Sequence, residues 1–153
     1  MASEYHPTNS RAKGWIMVFL QFFALLILLG WPPHMPQSLV GIILFCFGFL
    51  LLAYAVFSMS RNSWSVHPTP NNNGALTQRG PYRFIRHPMY TAVLFVGLGL
   101  LISQPTKLKI AAWALLLIVF YFKIMLEESM LSSKYPDYLF YQQRTHRLIP
   151  RIW

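Results

Sequence analysis

The chain is 153 residues long, 55% hydrophobic and 16% aromatic, with only 11% charged residues, against about 25% in an average soluble domain. A mean hydropathy of +0.40 excludes disorder and a fully water-facing surface, and the single cysteine, Cys46, excludes a disulfide scaffold. The net charge of +9 comes from 13 Lys and Arg against Glu4, Glu127, Glu128 and Asp137, a balance that would suggest nucleic acid were the basic residues not set between apolar stretches.

In chain order, the first apolar stretch covers about 14–31, with Gln21 its only strongly polar side chain. It ends in Trp31-Pro32-Pro33-His34 rather than a small-residue cleavage site, so it is expected to be an anchor that closes in a tight turn, not a signal peptide. The second stretch, 39–59, carries no charge and at ~1.5 Å per residue is long enough to cross a ~30 Å hydrocarbon core. A loop over 60–88 follows, long enough to suspect a function. The third stretch, 89–103, is short and contains Gly97 and Gly99, which are expected to let helices pack closely. The fourth, 108–126, has Lys123 in its last turn. The tail, 127–153, is expected to continue that helix, break near Pro136 and form a second short helix, with Tyr135, Tyr138 and Tyr141 recurring every three residues along it. Such a tail either lies on the membrane or folds back over the loop. The expected fold class is all-α: one polytopic membrane domain over 1–153, with about four transmembrane helices in two hairpins and an amphipathic C-terminal helical tail. Lipid demands an internally satisfied backbone, and no barrel-like alternation is present.

Positive charge sets the orientation. Arg11, Lys13, Arg61, Arg79, Arg83, Arg86, Lys134, Arg144, Arg147 and Arg151 make ten on one face, against Lys107 and Lys109 on the other. Both termini, the long loop and any site they build are therefore expected on the cytoplasmic side. The short chain and compact loops suit a bacterial plasma membrane. The expected partner is the lipid bilayer with its anionic headgroups, not nucleic acid.

Two places carry chemistry. The run Gly80-Pro81-Tyr82-Arg83-Phe84-Ile85-Arg86-His87-Pro88-Met89-Tyr90 sets two arginines, a histidine and two tyrosines at the mouth of a short span. Pro88 at a helix start leaves first-turn N–H groups that would suit an anion; the plainer alternative is an interfacial belt on lipid headgroups. Glu127-Glu128 is the second, since glutamates at a helix C-terminus oppose the macrodipole. They would suit a cation or an ammonium, or else form a solvated pair with Lys123 one turn earlier. His6, His34, His67, His87 and His146 are scattered, so no metal site is expected.

The stretch Leu76-Thr77-Gln78-Arg79-Gly80-Pro81-Tyr82-Arg83-Phe84-Ile85-Arg86-His87-Pro88-Met89-Tyr90, then Glu127-Glu128, then Tyr138-Leu139-Phe140-Tyr141-Gln142-Gln143-Arg144-Thr145-His146-Arg147-Leu148-Ile149-Pro150, resembles the isoprenylcysteine carboxyl methyltransferase family. The related phospholipid methyltransferases share much of the pattern, which covers roughly residues 61–150. The resemblance implies an integral membrane enzyme that moves a methyl group from S-adenosylmethionine, leaving S-adenosylhomocysteine, to a membrane-associated or lipophilic acceptor: an isoprenylcysteine-like carboxylate, another carboxylate, an amine or a thiol. It implies cofactor contacts at Gly74, Ala75, Leu76, Thr77, Tyr82, His87, Pro88, Met89, Tyr90, Glu127 and Glu128, with His67 as a further contact. It implies catalytic roles for Arg86, Tyr90 and Lys123, the last facing the acceptor. Two departures stand out: Lys123 takes the place of the family's arginine and lacks its bidentate fork, and Tyr135-Pro136 replaces a Phe-Gly turn. Two other readings remain open, an NADPH-dependent membrane reductase related to sterol reductases and a non-catalytic scaffold that binds anionic lipid.

Overall fold

The charge-free run after Ser38 winds into a helix, Leu39–Ser58, because its side chains are apolar throughout and Ser38 Oγ caps it by accepting from Gly41 N–H at 3.1 Å. The structure, a computed structural model, describes residues 7–31, 33–59 and 76–150, with side chains from Gly14 onward. Five α-helices follow one another: α1 Pro7–Leu29, α2 Leu39–Ser58, α3 Pro88–Ser103, α4 Lys107–Lys134 and α5 Tyr138–Arg144, with one tighter 3-10 turn at Gly80–Arg83 before α3. No strand occurs among the described residues, only a single parallel bridge between Ile85 and His146. The all-helical expectation therefore holds. Gly74, Ala75 and His67, assigned to the cofactor site above, lie outside the described residues.

Helices α2 and α4 are each long and apolar enough to cross a membrane. The apolar part of α1, Gly14–Leu29, and α3 are shorter. With 28 residues, α4 extends roughly 42 Å at ~1.5 Å per residue, so its last turns, from Glu127 on, run past the apolar segment that ends at Leu126. The outward faces carry large exposed apolar side chains, among them Phe19, Leu26, Leu50, Phe57 and Ile118, which suits a lipid solvent.

The helices do not pair as two sequential hairpins. The broad contacts run between α2 and α3 and between α1 and α4, while α3 meets α4 over a smaller area. Small residues decide this. A side chain on Gly99 would meet Gly41 O at 2.6 Å and Phe45 N at 2.8 Å, and one on Gly48 would meet Ala92 O at 2.7 Å. Backbone thus rests directly on backbone between α2 and α3. Gly97 turns the other way, toward Leu28 of α1 and Trp113 of α4. Substituting Gly99→Ala is expected to force α2 and α3 apart and lower stability by about 1–3 kcal/mol, read as a lower thermal unfolding midpoint in detergent. On the other side Leu28, Ala24, Leu94, Leu116, Phe120 and Ile124 form the core shared by α1, α3 and α4.

Candidate active site

The site forms where α4 leaves the apolar layer and α3 enters it. Pro88 starts α3, and Tyr90 and Thr91 N–H both donate to His87 O at 3.1 Å. One first-turn donor that the sequence suggested would be open to an anion, Tyr90 N–H, is thus closed on the helix's own cap.

Neighbouring residues on a helix point about 100° apart, and the two glutamates of α4 separate accordingly. Glu127 faces a cavity of about 180 Å³ with Lys123, four residues earlier on the same helix face. Glu128 faces away and is 5% exposed. Its Oε1 accepts from Arg86 Nε at 2.7 Å and lies 3.3 Å from His87 Nε2, and its Oε2 accepts from Arg147 Nε at 3.0 Å. Burial by itself would raise the Glu128 carboxyl, but the hydrogen bonds and positive charge of His87 and Arg86 outweigh it and hold the group down at about 2. Burial likewise works against a charged His87, yet the hydrogen bonds and charge of Glu127 and Glu128 raise it above its ordinary value. Arg86 is committed further: its Nη1 donates to the carbonyls of Gln142, at 3.1 Å, and of Thr145.

This cluster fastens the tail onto the segment before α3. Arg86 N–H donates to His146 O at 2.7 Å, His87 N–H to Arg147 O at 3.0 Å, and His146 N–H to Phe84 O at 3.0 Å. The Tyr141 hydroxyl donates to Tyr82 O at 2.7 Å. The tail therefore folds back. Tyr138 and Tyr141 are buried on the inner face of α5, and Leu139 and Phe140 face out.

The cavity gathers Tyr82, Arg86, His87, Pro88, Met89, Tyr90, Lys123 and Glu127 on one wall system. The Tyr90 hydroxyl donates to Glu127 Oε2 at 3.1 Å, and His87 Nδ1 lies 3.5 Å from the same oxygen. The Tyr90 ring stacks on Phe120, with centroids 4.7 Å apart, and runs parallel to His87 at 5.6 Å. Glu128 stands behind this wall, and Leu76 and Thr77 are half-buried and are not among the residues lining the cavity. Lys123 does not pair with Glu127; its Nζ donates to Gln21 Oε1 at 2.7 Å.

Residues 36–138 match the family model of the phospholipid methyltransferases. The chain belongs to this family. Two of its described helices, α2 and α4, have the length and apolarity to span a membrane. Two relatives are similar over the same share of the chain. The cobalt-zinc-cadmium resistance protein CzcN of Cupriavidus metallidurans is 27% identical over 67% of this chain and 48% of its own length. The nickel-cobalt-cadmium resistance protein NccN of Alcaligenes xylosoxydans xylosoxydans is 29% identical over 67% and 48%. The chain spans about half the length of these relatives.

Sequence reasoning missed Gln21, Leu52, Met59 and Val93 as cavity walls, and Thr145 and Arg147 as parts of the latch. Gln21 had a signal, a lone carboxamide in an apolar stretch. Leu52, Met59 and Val93 had none, because apolar side chains that line a cavity look like any others in a membrane helix.

Proposed function

We propose that the chain is an integral membrane enzyme that uses S-adenosylmethionine to methylate a membrane-associated or lipophilic acceptor. The observation that carries this reading is the Glu127 carboxylate, tethered by the Tyr90 hydroxyl and His87 on the wall of a mainly apolar, partly aromatic cavity. S-adenosylmethionine supplies an electrophilic methyl on a sulfonium that also carries an ammonium, a carboxylate and sugar hydroxyls. The residues present fit it. Glu127 suits the ammonium or the hydroxyls, and the ring of Tyr82 lines the same cavity and attracts a cation. Met59 and Met89 adapt to the remaining apolar surface.

His87, whose ring lies between the two glutamates, orients Glu127. Arg86 and Glu128 position the wall from behind. Lys123 aims the acceptor, which must stand in line with the methyl at about 3–3.5 Å. On this reading all four apolar helices cross a bacterial plasma membrane with both termini and the cavity mouth cytoplasmic. A lipophilic acceptor then enters between helices and the polar cofactor from the loop side. The metal-resistance names belong to the relatives; among the described residues no group of three His, Cys, Asp or Glu side chains gathers that could hold a metal.

The test is calorimetric titration of S-adenosylhomocysteine into the detergent-purified chain, with NADPH as the parallel ligand. Saturable binding of S-adenosylhomocysteine alone is expected. Binding of NADPH alone would replace this reading with a reductase, and binding of neither to folded protein would replace it with a lipid-holding scaffold.

A further inference from the structure

The cavity occupies one side of the layer that α2 and α3 form, and two apolar grooves occupy the other. Neighbours in the chain divide between the sides: Leu52, Tyr82 and Tyr90 line the cavity, whereas Leu51, Pro81 and Thr91 line a groove of about 390 Å³. A second groove, of about 330 Å³, runs between α3 and α4 past Leu98 and Trp113. The two share Thr91, Phe95, Leu148 and Ile149, so they lie side by side along α3 and meet at the folded-back tail. Thr91 Oγ1 donates to Leu148 O at 2.9 Å and fixes that meeting point. No charged side chain lines either groove. Charge gathers instead beyond the end they share. Arg83 is exposed between the lining residues Pro81 and Phe84, and the parallel bridge of Ile85 to His146 brings the exposed Arg144 to the same end. Among the described residues neither arginine pairs with a carboxylate.

We propose that the paired grooves hold one anionic diacyl phospholipid, with a chain in each groove and the phosphate at Arg83 and Arg144, as a bound lipid that fastens the tail and not as a substrate. The proposal goes beyond the methyltransferase reading and does not depend on it, because no residue lines both the cavity and a groove. Two chains joined at one head match two grooves that meet at one end, whereas a single-tailed amphiphile fills only one of them. Lipid tails are as apolar as leucine, so the grooves select by shape and discriminate little among phospholipids. Preference comes from the head. Guanidinium groups hold phosphate oxygens through charge-assisted hydrogen bonds. A zwitterionic head adds an ammonium that the two arginines repel, and an anionic head does not. Leu148 and Ile149 line both grooves, so the bound chains pack the tail against α3.

Trp113 lines the second groove and reports on its occupant. The full chain, with its other tryptophans changed to phenylalanine, is placed in phosphatidylcholine vesicles. Phosphatidylglycerol or phosphatidylcholine with brominated chains then replaces a rising share of the lipid, and quenching of Trp113 gives the relative affinity. Phosphatidylglycerol is expected to bind about tenfold or more tightly than phosphatidylcholine, and Arg83→Gln to cut that ratio about fivefold. High salt lowers it, because the arginines are exposed. A reporter moved to the outward face of α1, by Phe23→Trp with Trp113→Phe, is expected to read a ratio near one. A ratio near one at Trp113, or an unchanged ratio in Arg83→Gln, overturns the proposal. So does an equal preference at both positions, since the basic face then only enriches anionic lipid around the whole chain. If the single-tryptophan chain does not fold, the unmodified chain in neutral detergent decides. Added phosphatidylglycerol is expected to raise its unfolding midpoint more than added phosphatidylcholine, and equal shifts overturn the proposal.

Discussion

Glu128→Ala is expected to destabilise the protein by about 3–5 kcal/mol, read as a large fall in the thermal unfolding midpoint of the detergent-solubilised chain. The carboxylate is buried and joins three basic groups from two segments: Arg86 and His87 ahead of α3, and Arg147 in the tail. Removing it takes away the carboxylate that Arg86, His87 and Arg147 share and leaves His87 with Glu127. The tail then keeps its backbone bonds to Phe84, Arg86 and His87, the Arg86 side-chain bonds to the carbonyls of Gln142 and Thr145, the Thr91 bond to Leu148 and the Tyr141 contact. Glu128→Gln preserves shape and not charge, so it should lose most of the same stability. An unchanged midpoint in both variants would show that the cluster does not hold the tail.

The same cluster predicts a pH window. The Glu128 carboxyl lies at about 2, below its ordinary 4.5, so its contribution is complete above pH 4.5 and is lost as pH falls toward 2. His87 is raised above its ordinary 6.5, so its contribution is complete below pH 6.5 and is lost as pH rises through the raised value. The latch is therefore strongest between about 4.5 and 6.5. A melting midpoint with no maximum in that region would contradict the assignment.

Glu127→Ala is expected to do something different: weaken S-adenosylhomocysteine binding by roughly ten- to a hundredfold, the worth of a charge-assisted hydrogen bond, while the unfolding midpoint barely moves. The Glu127 side chain is 29% exposed, and of its bonded partners His87 keeps Glu128, while Lys123 on the same cavity wall keeps its bond to Gln21. Two adjacent glutamates thus divide binding from stability, and isothermal titration beside a thermal melt on each variant separates them. Unchanged affinity in Glu127→Ala would remove it from the cofactor site.

Much of the arrangement was legible before any coordinates. Uninterrupted apolar runs mark helices α1 to α4 because lipid leaves the backbone no partner but itself, and Pro136 marks the break before α5 because proline cannot continue a helix. The Arg86-His87-Pro88 run and the paired glutamates were recognisable as the chemical segments because charge is scarce elsewhere. Their division of labour was half-legible: a 100° turn separates adjacent residues on any helix, yet which of the two faces the cavity depends on what packs there.

Pairing of the helices was not legible. Gly41, Gly48 and Gly99 mark close packing in the abstract, but only the fold shows that they join α2 to α3 and leave α1 to α4. Gln21 and Lys123 are 102 residues apart, and nothing local in either stretch points to the other. Local periodicity and chain stiffness are properties of neighbouring residues, so the sequence by itself determined the helices, their apolar faces and the polar segments between them. The partners of Lys123, Glu128 and the folded-back tail were decided by tertiary structure alone, because a buried charge takes whichever partner the packing of distant helices brings within reach.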